Sequence, residues 1–165
     1  PYKTRSKDFV RAVLQRSTTE QQELGVAFHK LMQHIESGQD LERIASNPPW
    51  ELTAKHLDWC LNRAHTLISD PRVSTYFSAG LEVKNETVLL DDNGEALIPD
   101  RLIFIENTCV IIDYKTGQKK SEHRKQLDRY QQAIESLYKS ERPLVFEKII
   151  VYLRTETERV ELDIY

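Results

Sequence analysis

Two short stretches hold the residues with chemistry to do. Ile98-Pro99-Asp100-Arg101 is followed by Asp113-Tyr114-Lys115-Thr116-Gly117, the second acid thirteen residues after the first. Both lie in runs of Leu, Ile, Val and Phe, where a carboxylate is costly unless a cation compensates it. A bound divalent metal is the candidate compensator.

The spacing supplies a geometry for it. Leu97–Ile105 and Cys109–Thr116 read as strands rich in β-branched residues, separated by Glu106-Asn107-Thr108. Alternation along a strand puts Asp113 and Lys115 on one side. With a two-residue loop at Glu106-Asn107, Ile105 pairs with Thr108, and counting back sets Asp100 opposite Asp113. Like charges facing each other across a ladder repel. A hard cation between them turns that cost into a binding site, and oxygen donors suit Mg²⁺ or Mn²⁺. Lys115 would then orient a water or stabilise developing negative charge. The alternative is an Asp–Lys surface pair on an edge strand; the flanking runs, apolar on both faces, point to burial instead.

The elements that must position these groups follow from periodicity. Asp8–Gln15 reads as a short helix, and Ser17-Thr18-Thr19-Glu20 as a capping box opening a longer one that ends near Ser37-Gly38. On the longer helix Leu24, Ala27, Phe28, Leu31 and Ile35 recur at helical spacing. A weaker helix covers Leu41–Ala45, and Asn47-Pro48-Pro49 breaks the chain. Thr53–Ile68 is a fourth helix, with Leu57, Cys60, Leu61, Ala64 and Ile68 on one face. Leu81–Leu90 is a strand, turned back at Asp92-Asn93-Gly94. Ser121–Lys139 is helical, with Leu127, Tyr130, Ile134 and Leu137 on one face. Val145–Leu153 and Val160–Ile164 are closing strands around Thr155-Glu156-Thr157. The order predicts an α/β fold: a mixed central sheet covered by helices on both faces, with a mainly helical part over 1–78 and a sheet core over 79–165. The strand after the last helix is expected beside the Asp113 strand, since a helical crossover joins parallel neighbours.

At 165 residues the chain is long enough to bury roughly 70% of its unfolded surface without staples. Its 39% hydrophobic and 30% charged residues are those of an ordinary globular protein. No apolar run reaches the length of a membrane span and no basic-then-apolar leader is present, so no membrane partner is expected. The start at Pro1 points to a piece of a larger polypeptide. Cys60 and Cys109 lack zinc or disulfide spacing and read as reduced cytosolic thiols. The net charge of −3 speaks mildly against gripping nucleic acid by bulk electrostatics. The distribution is more informative: basic residues collect over Lys3–Arg16 and Lys119–Arg129, acidic ones over Glu82–Glu106. A negative centre between positive arms suits a metal-dependent enzyme acting on a phosphate polymer, though basic stretches are common on any solvated helix.

Five pieces in order resemble the RecB-type nuclease domain of the PD-(D/E)XK superfamily, most closely the C-terminal nuclease domains of UvrD-like helicase–nucleases of the RecB and AddA kind. They are Gly25-Val26-Ala27-Phe28-His29 (a G-x-x-x-H helix), Asn85-Glu86 (an acidic position on the first core strand), Pro99-Asp100-Arg101, Asp113-Tyr114-Lys115-Thr116-Gly117 (the D-x-K strand) and Gln126-Leu127-Asp128-Arg129-Tyr130 (a Q-x-x-x-Y helix). The resemblance implies a restriction-endonuclease-like core and Mg²⁺- or Mn²⁺-dependent hydrolysis of DNA phosphodiesters, exonucleolytic and in DNA end processing and recombinational repair. It also implies DNA and a helicase module as partners, and a bacterial cytoplasmic setting. It assigns the metal to His29, Asp100, Asp113 and the Tyr114 carbonyl, and water activation to Lys115. Some relatives carry an iron–sulfur cluster on four cysteines; with two cysteines here, none is expected.

Each residue also has a plainer reading. His29 would be a satisfied residue on the flank of an amphipathic helix. Gly25 would open space at the site or form a helix–helix contact. Glu86 would take a second metal or a water, or merely solvate a strand. Gln126 would touch the site or the DNA backbone, whereas Tyr130 reads as core with a hydrogen-bonding tip. Lys119 and Lys120 are candidate substrate contacts, and Arg101, facing away from Asp100, reads as half of a structural ion pair. Two rival functions remain: a non-catalytic DNA-binding or docking module, and a free-standing endonuclease. No G-x-x-x-x-G-K-[ST] loop occurs, so any helicase motor lies elsewhere.

Overall fold

Sequence and structure first differ in the N-terminal helix. The structure is a computed structural model that describes residues 4–50, 52–138 and 143–165, with the backbone alone for 4–18; the basic stretch Lys3–Arg16 thus lies outside the described side chains. One continuous helix, α1, runs Thr4–Gln33 in place of the two expected. Ser17 to Glu20 lie in its interior. No Gly or Pro interrupts the chain between Thr4 and Gly25, and Ser and Thr are only weakly unfavourable inside a helix. The five apolar residues assigned to its core face, Leu24, Ala27, Phe28, Leu31 and Ile35, are all buried. Ile35 lies past the helix end, its N–H bonded back to the Met32 carbonyl at 3.2 Å.

Helix α2 spans Asp40–Ser46, and α3 spans Ala54–Ile68 after the Asn47-Pro48-Pro49 break. The buried face of α3 is rotated from the expected one: His56, Cys60, Arg63, Ala64 and Leu67 point inward, while Leu57, Leu61 and Ile68 are only partly covered. Polar contacts take up the slack. Arg63 lies 5.0 Å from the centre of the Trp59 ring, and His56 Nε2 lies 3.3 Å from Glu23.

A 3₁₀ turn, Ser74–Phe77, leads to the strands: β1 Glu82–Asn85, β2 Leu89–Leu90, β3 Ala96–Leu97, β4 Arg101–Ile105 and β5 Thr108–Thr116. Helix α4, Ser121–Leu137, crosses to β6, Val145–Leu153, which pairs with β7, Val160–Ile164. The main sheet has the order β1-β4-β5-β6-β7, and only β5 and β6 run parallel. The α4 crossover therefore lays the new strand beside the Asp113 strand, as expected. Two long strands read from sequence are each broken. Leu81–Leu90 ends at Glu86, whose φ of 52° turns the chain out of the ladder. Leu97–Ile105 is interrupted at Ile98-Pro99-Asp100, where proline has no N–H to give a ladder. The detached ends β2 and β3 pair separately around the Asp92-Asn93-Gly94 turn. Helix α4 ends at Leu137 rather than Lys139, which lies outside the described residues.

Alternation on the central strands sorts the core into two layers. Val110, Ile112 and Tyr114 of β5 pack with α1 and α3; Cys109 and Ile111 pack with Leu127, Tyr130, Ala133 and Ile134 of α4. Both cysteines are free and buried, and burial pushes each thiol up to about 12. Among the described residues no helix is long and apolar enough to cross a membrane.

Arg101 ties the start of β4 to the chain after α1 and to the 3₁₀ turn. It is fully buried, yet among the described residues it makes no ion pair with a carboxylate, in place of the one expected. Its guanidinium donates to the carbonyls of Ile35, Glu36 and Tyr76 at 2.7–2.9 Å and lies 4.4 Å from the Phe77 ring centre. A rigid, multi-donor fork suits three converging chain carbonyls that secondary structure leaves unpaired. Arg101→Leu strands the Glu36 and Tyr76 carbonyls, leaving Ile35 to Asn85 alone, and should cost about 3 kcal/mol or more of unfolding free energy in urea titration. A loss below about 1 kcal/mol would contradict this role.

Candidate active site

The site forms where β4 begins and β5 ends. The β4–β5 register runs from Ile105↔Thr108 to Arg101↔Ile112, so its next step sets Asp100 beside Asp113. Glu106 makes the tight reversal with φ 53°. Asp100 lies just outside the ladder, freed by Pro99, and both its oxygens are committed. Oδ2 accepts the Tyr114 N–H at 2.7 Å, and Oδ1 lies 3.1 Å from His29 Nδ1. The other nitrogen of His29, Nε2, donates to the Tyr114 carbonyl at 3.1 Å. One imidazole thus joins the acid of β4 to the chain carbonyl that follows the acid of β5.

Helix α1 approaches this closely because of Gly25, one turn before His29. A Cβ at Gly25 would lie 2.6 Å from Thr116 Oγ1, so a side chain there pushes the helix off the end of β5. The glycine serves a helix–strand contact at the site, not a helix–helix one. Glu86 closes the group from β1. Its N–H donates to the Asp100 carbonyl at 3.1 Å, and its carboxylate, Asp100 and His29 offer ligand atoms all within 4.8 Å of one another.

Asp113 stands at the head of a second chain of contacts, on the α4 face of the sheet. It is 1% exposed, with Oδ2 at 2.6 Å from Lys115 Nζ. Lys115 donates to Gln126 Oε1 at 2.7 Å, Gln126 Nε2 donates to Tyr130 Oη at 2.8 Å, and Tyr130 donates to the Ile98 carbonyl at 3.2 Å. The ammonium only donates, which fixes the orientation of the Gln126 amide and then the direction of the tyrosine proton. Tyr130, which the resemblance placed in the Q-x-x-x-Y helix as a candidate substrate contact and the residues themselves read as core with a hydrogen-bonding tip, is 3% exposed and uses that tip to hold Gln126. Lys119 and Lys120 stand apart from the acids. Lys119 lies 3.5 Å from Glu161 and 5.2 Å from the Tyr152 ring centre, and Lys120 is the exposed residue before α4.

Sequence reasoning missed His123, three residues before Gln126 on α4. Its Nδ1 lies 3.1 Å from Tyr152 Oη, and Tyr152 is the register partner of Lys115. Burial and then the Lys115 charge lower its pKa. The i,i+3 spacing to Gln126 was the available signal.

The electrostatics are those of a site short of positive charge. Burial, and next the neighbouring Asp100, push Asp113 up to about 7 against the opposing pull of Lys115 and His29. Burial would lower His29, but the hydrogen bond and charge of Asp100 outweigh it and its pKa rises. Asp113 Oδ2, although close to Lys115, is buried without a well-aligned hydrogen bond. A buried carboxylate left in that state fits a hard divalent cation; the ligand atoms lying within 4.8 Å of one another belong to His29, Glu86 and Asp100, with Asp113 outside that group. A cleft of about 690 Å³ opens onto the group, lined by Gly25, Val26, His29, Lys30, Glu86 and Lys115 among others.

Comparison with known proteins bears on the fold and the family. No curated protein matches the sequence. Among solved structures, the crystal structure of SSO0001 aligns with 15% identity over 86% of this chain and 73% of that one, at a TM-score of 0.33, too low for a shared fold to be read from it. The family model for the PD-(D/E)XK nuclease superfamily matches residues 2–162, nearly the whole sequence. The five-stranded mixed sheet flanked by helices is consistent with the core of that superfamily. The chain belongs to the PD-(D/E)XK nuclease superfamily.

Proposed function

We propose that this chain hydrolyses DNA phosphodiester bonds with Mg²⁺ or Mn²⁺, as the nuclease domain of a larger helicase–nuclease working at DNA ends. The observation that carries the reading is the Asp113–Lys115–Gln126 line of contacts ending beside the Asp100–His29–Tyr114 carbonyl group. Asp100, Asp113 and the Tyr114 carbonyl are the residues that would hold the cation, with His29 and Glu86 completing the group. When bound, the cation supplies Lewis acidity toward the phosphoryl oxygens and the attacking water.

The chain's own groups do the positioning. Gln126, held by Tyr130, fixes the Lys115 ammonium, which is 22% exposed and so reaches the cleft. There it orients a water for in-line attack and offsets the charge that develops on the phosphoryl oxygens. His29 donates protons on both nitrogens in its present contacts, and must release one to become a ligand. The exonucleolytic mode and the helicase partner rest on the G-x-x-x-H and Q-x-x-x-Y helices that flank the acids in the sequence.

Asp113→Ala and Lys115→Ala should each lower Mg²⁺-dependent digestion of single-stranded DNA by about 10²-fold or more, with circular dichroism unchanged. Gln126→Ala should cost less, about tenfold, since it acts through Lys115. Removing metal with EDTA should abolish cleavage and Mn²⁺ should restore it. Undiminished digestion by both the Asp113 and Lys115 variants would refute the reading.

The pH dependence has a definite sign. A carboxyl or imidazole whose pKa is raised by folding stabilises most below its unfolded value, and loses that contribution as pH climbs through the folded value. For Asp113 the window runs from about 4 to about 7, and the raised His29 acts in the same direction. Metal-free protein should therefore melt lower at pH 8 than at pH 6, and Asp113→Asn should remove most of that fall. Mg²⁺ should raise the melting temperature more at pH 8, because binding displaces these protons. Equal Mg²⁺ stabilisation at both pH values would contradict the assignment.

A further inference from the structure

The cleft does not end at the site. A groove of about 650 Å³ lies on the far side of α1, between it and the start of α3, and shares Gln22, Val26 and Lys30 with the cleft. These three recur every four residues, so they form one stripe of the helix, the ridge over which the two depressions join. The groove's own walls are mainly apolar, from Ala27, Thr53 and the stem of Lys55. Val26, at the crest, is 57% exposed.

We propose that this groove is a subsite for single-stranded DNA, taking the strand as it leaves the cleft across α1. The proposal rests on the nuclease reading above and adds the path and strandedness of the substrate.

Three observations choose this occupant. A polymer held at the scissile phosphate must leave the site, and charge decides the side. Glu86 stands at the β1 wall, while Lys30, one residue after His29, stands on the ridge with no carboxylate within salt-bridge distance among the described residues. Glu23, the acid within the groove, is already engaged by Lys55 at 3.4 Å and His56 at 3.3 Å. The groove therefore does not repel a phosphate chain, and Lys30 attracts it. Strandedness follows from the apolar walls. A duplex keeps its base faces stacked inside and offers such walls only sugar and phosphate, whereas an unpaired strand brings base faces that cover Val26 and the lysine stems. Gln22 adds an amide that pairs with a base edge.

The test uses the chain as it stands. Binding of fluorescein-labelled (dT)₁₂ is followed by anisotropy with Ca²⁺ in place of Mg²⁺, alongside a duplex of the same length. Hydrolysis of bis(p-nitrophenyl) phosphate with Mn²⁺ reports the centre alone. Val26→Glu and Lys55→Glu should each weaken (dT)₁₂ binding at least tenfold and reduce the preference for the single strand. Lys55→Glu, which lies outside the cleft, should leave bis(p-nitrophenyl) phosphate hydrolysis unchanged; melting curves confirm that both variants fold. If the small diester is hydrolysed but (dT)₁₂ binds the variants as tightly as the original, the groove is withdrawn and the nuclease reading stands. If the original hydrolyses neither the small diester nor DNA, that reading falls and takes the groove with it.

Discussion

The structure turns on the repulsion between two carboxylates placed side by side at the open end of a sheet. The β4–β5 ladder aims Asp100 and Asp113 at the same face and leaves Asp113 almost without solvent. No arrangement of the protein's own groups fully relieves this. Lys115 stands close but poorly aligned, His29 takes the other acid, and Asp113 still holds its proton up to about 7. A buried carboxylate and a partly buried one, with one adjacent ammonium, make a site that favours a bound cation.

Much of the remaining chain serves to keep that arrangement in place. Arg101 turns to the opposite face from Asp100 and ties three chain carbonyls together, including those of Ile35 and Glu36 shortly beyond the end of α1. Asn85, next to Glu86, donates to the Gln33 and Ile35 carbonyls and fastens β1 to the same helix end. Gly25 sets how near α1 comes to β5, and so whether His29 reaches the Tyr114 carbonyl. From the other face α4 presents Gln126 and Tyr130, packed through Leu127, Ala133 and Ile134. The helices on the two faces thus hold different halves of the site.

The central geometry was legible in the sequence because a two-residue reversal between apolar strands leaves one register, and period-two alternation then fixes the faces. Asp100 beside Asp113 and Asp113 beside Lys115 followed from that, while β6 parallel to β5 followed from the helical crossover between them. The core face of α1 was legible for the same kind of reason, at helical period. Where the reading failed, tertiary contacts outweighed local pattern. The Ser17 cap signal had no competing breaker to stop the helix, and Pro99 split a strand that hydrophobicity alone joined. The face of α3 was ambiguous, since Leu57-Leu61-Ile68 and His56-Cys60-Leu67 are equally periodic, and the sheet selected the second. Arg101 was placed on the correct face but given the wrong partner, because unpaired carbonyls leave no mark in a sequence. Tyr130 was legible as core and less so as the support of Gln126.

The measurement that meets the central claim head-on is an anomalous difference map from crystals soaked in Mn²⁺. The account predicts a peak within about 2–2.5 Å of carboxylate oxygens from both Asp100 and Asp113 and of the Tyr114 carbonyl, with His29 swung from its present bridge to face the ion. A map with no peak between those acids at millimolar Mn²⁺, or a peak held only by surface carboxylates elsewhere, would contradict it.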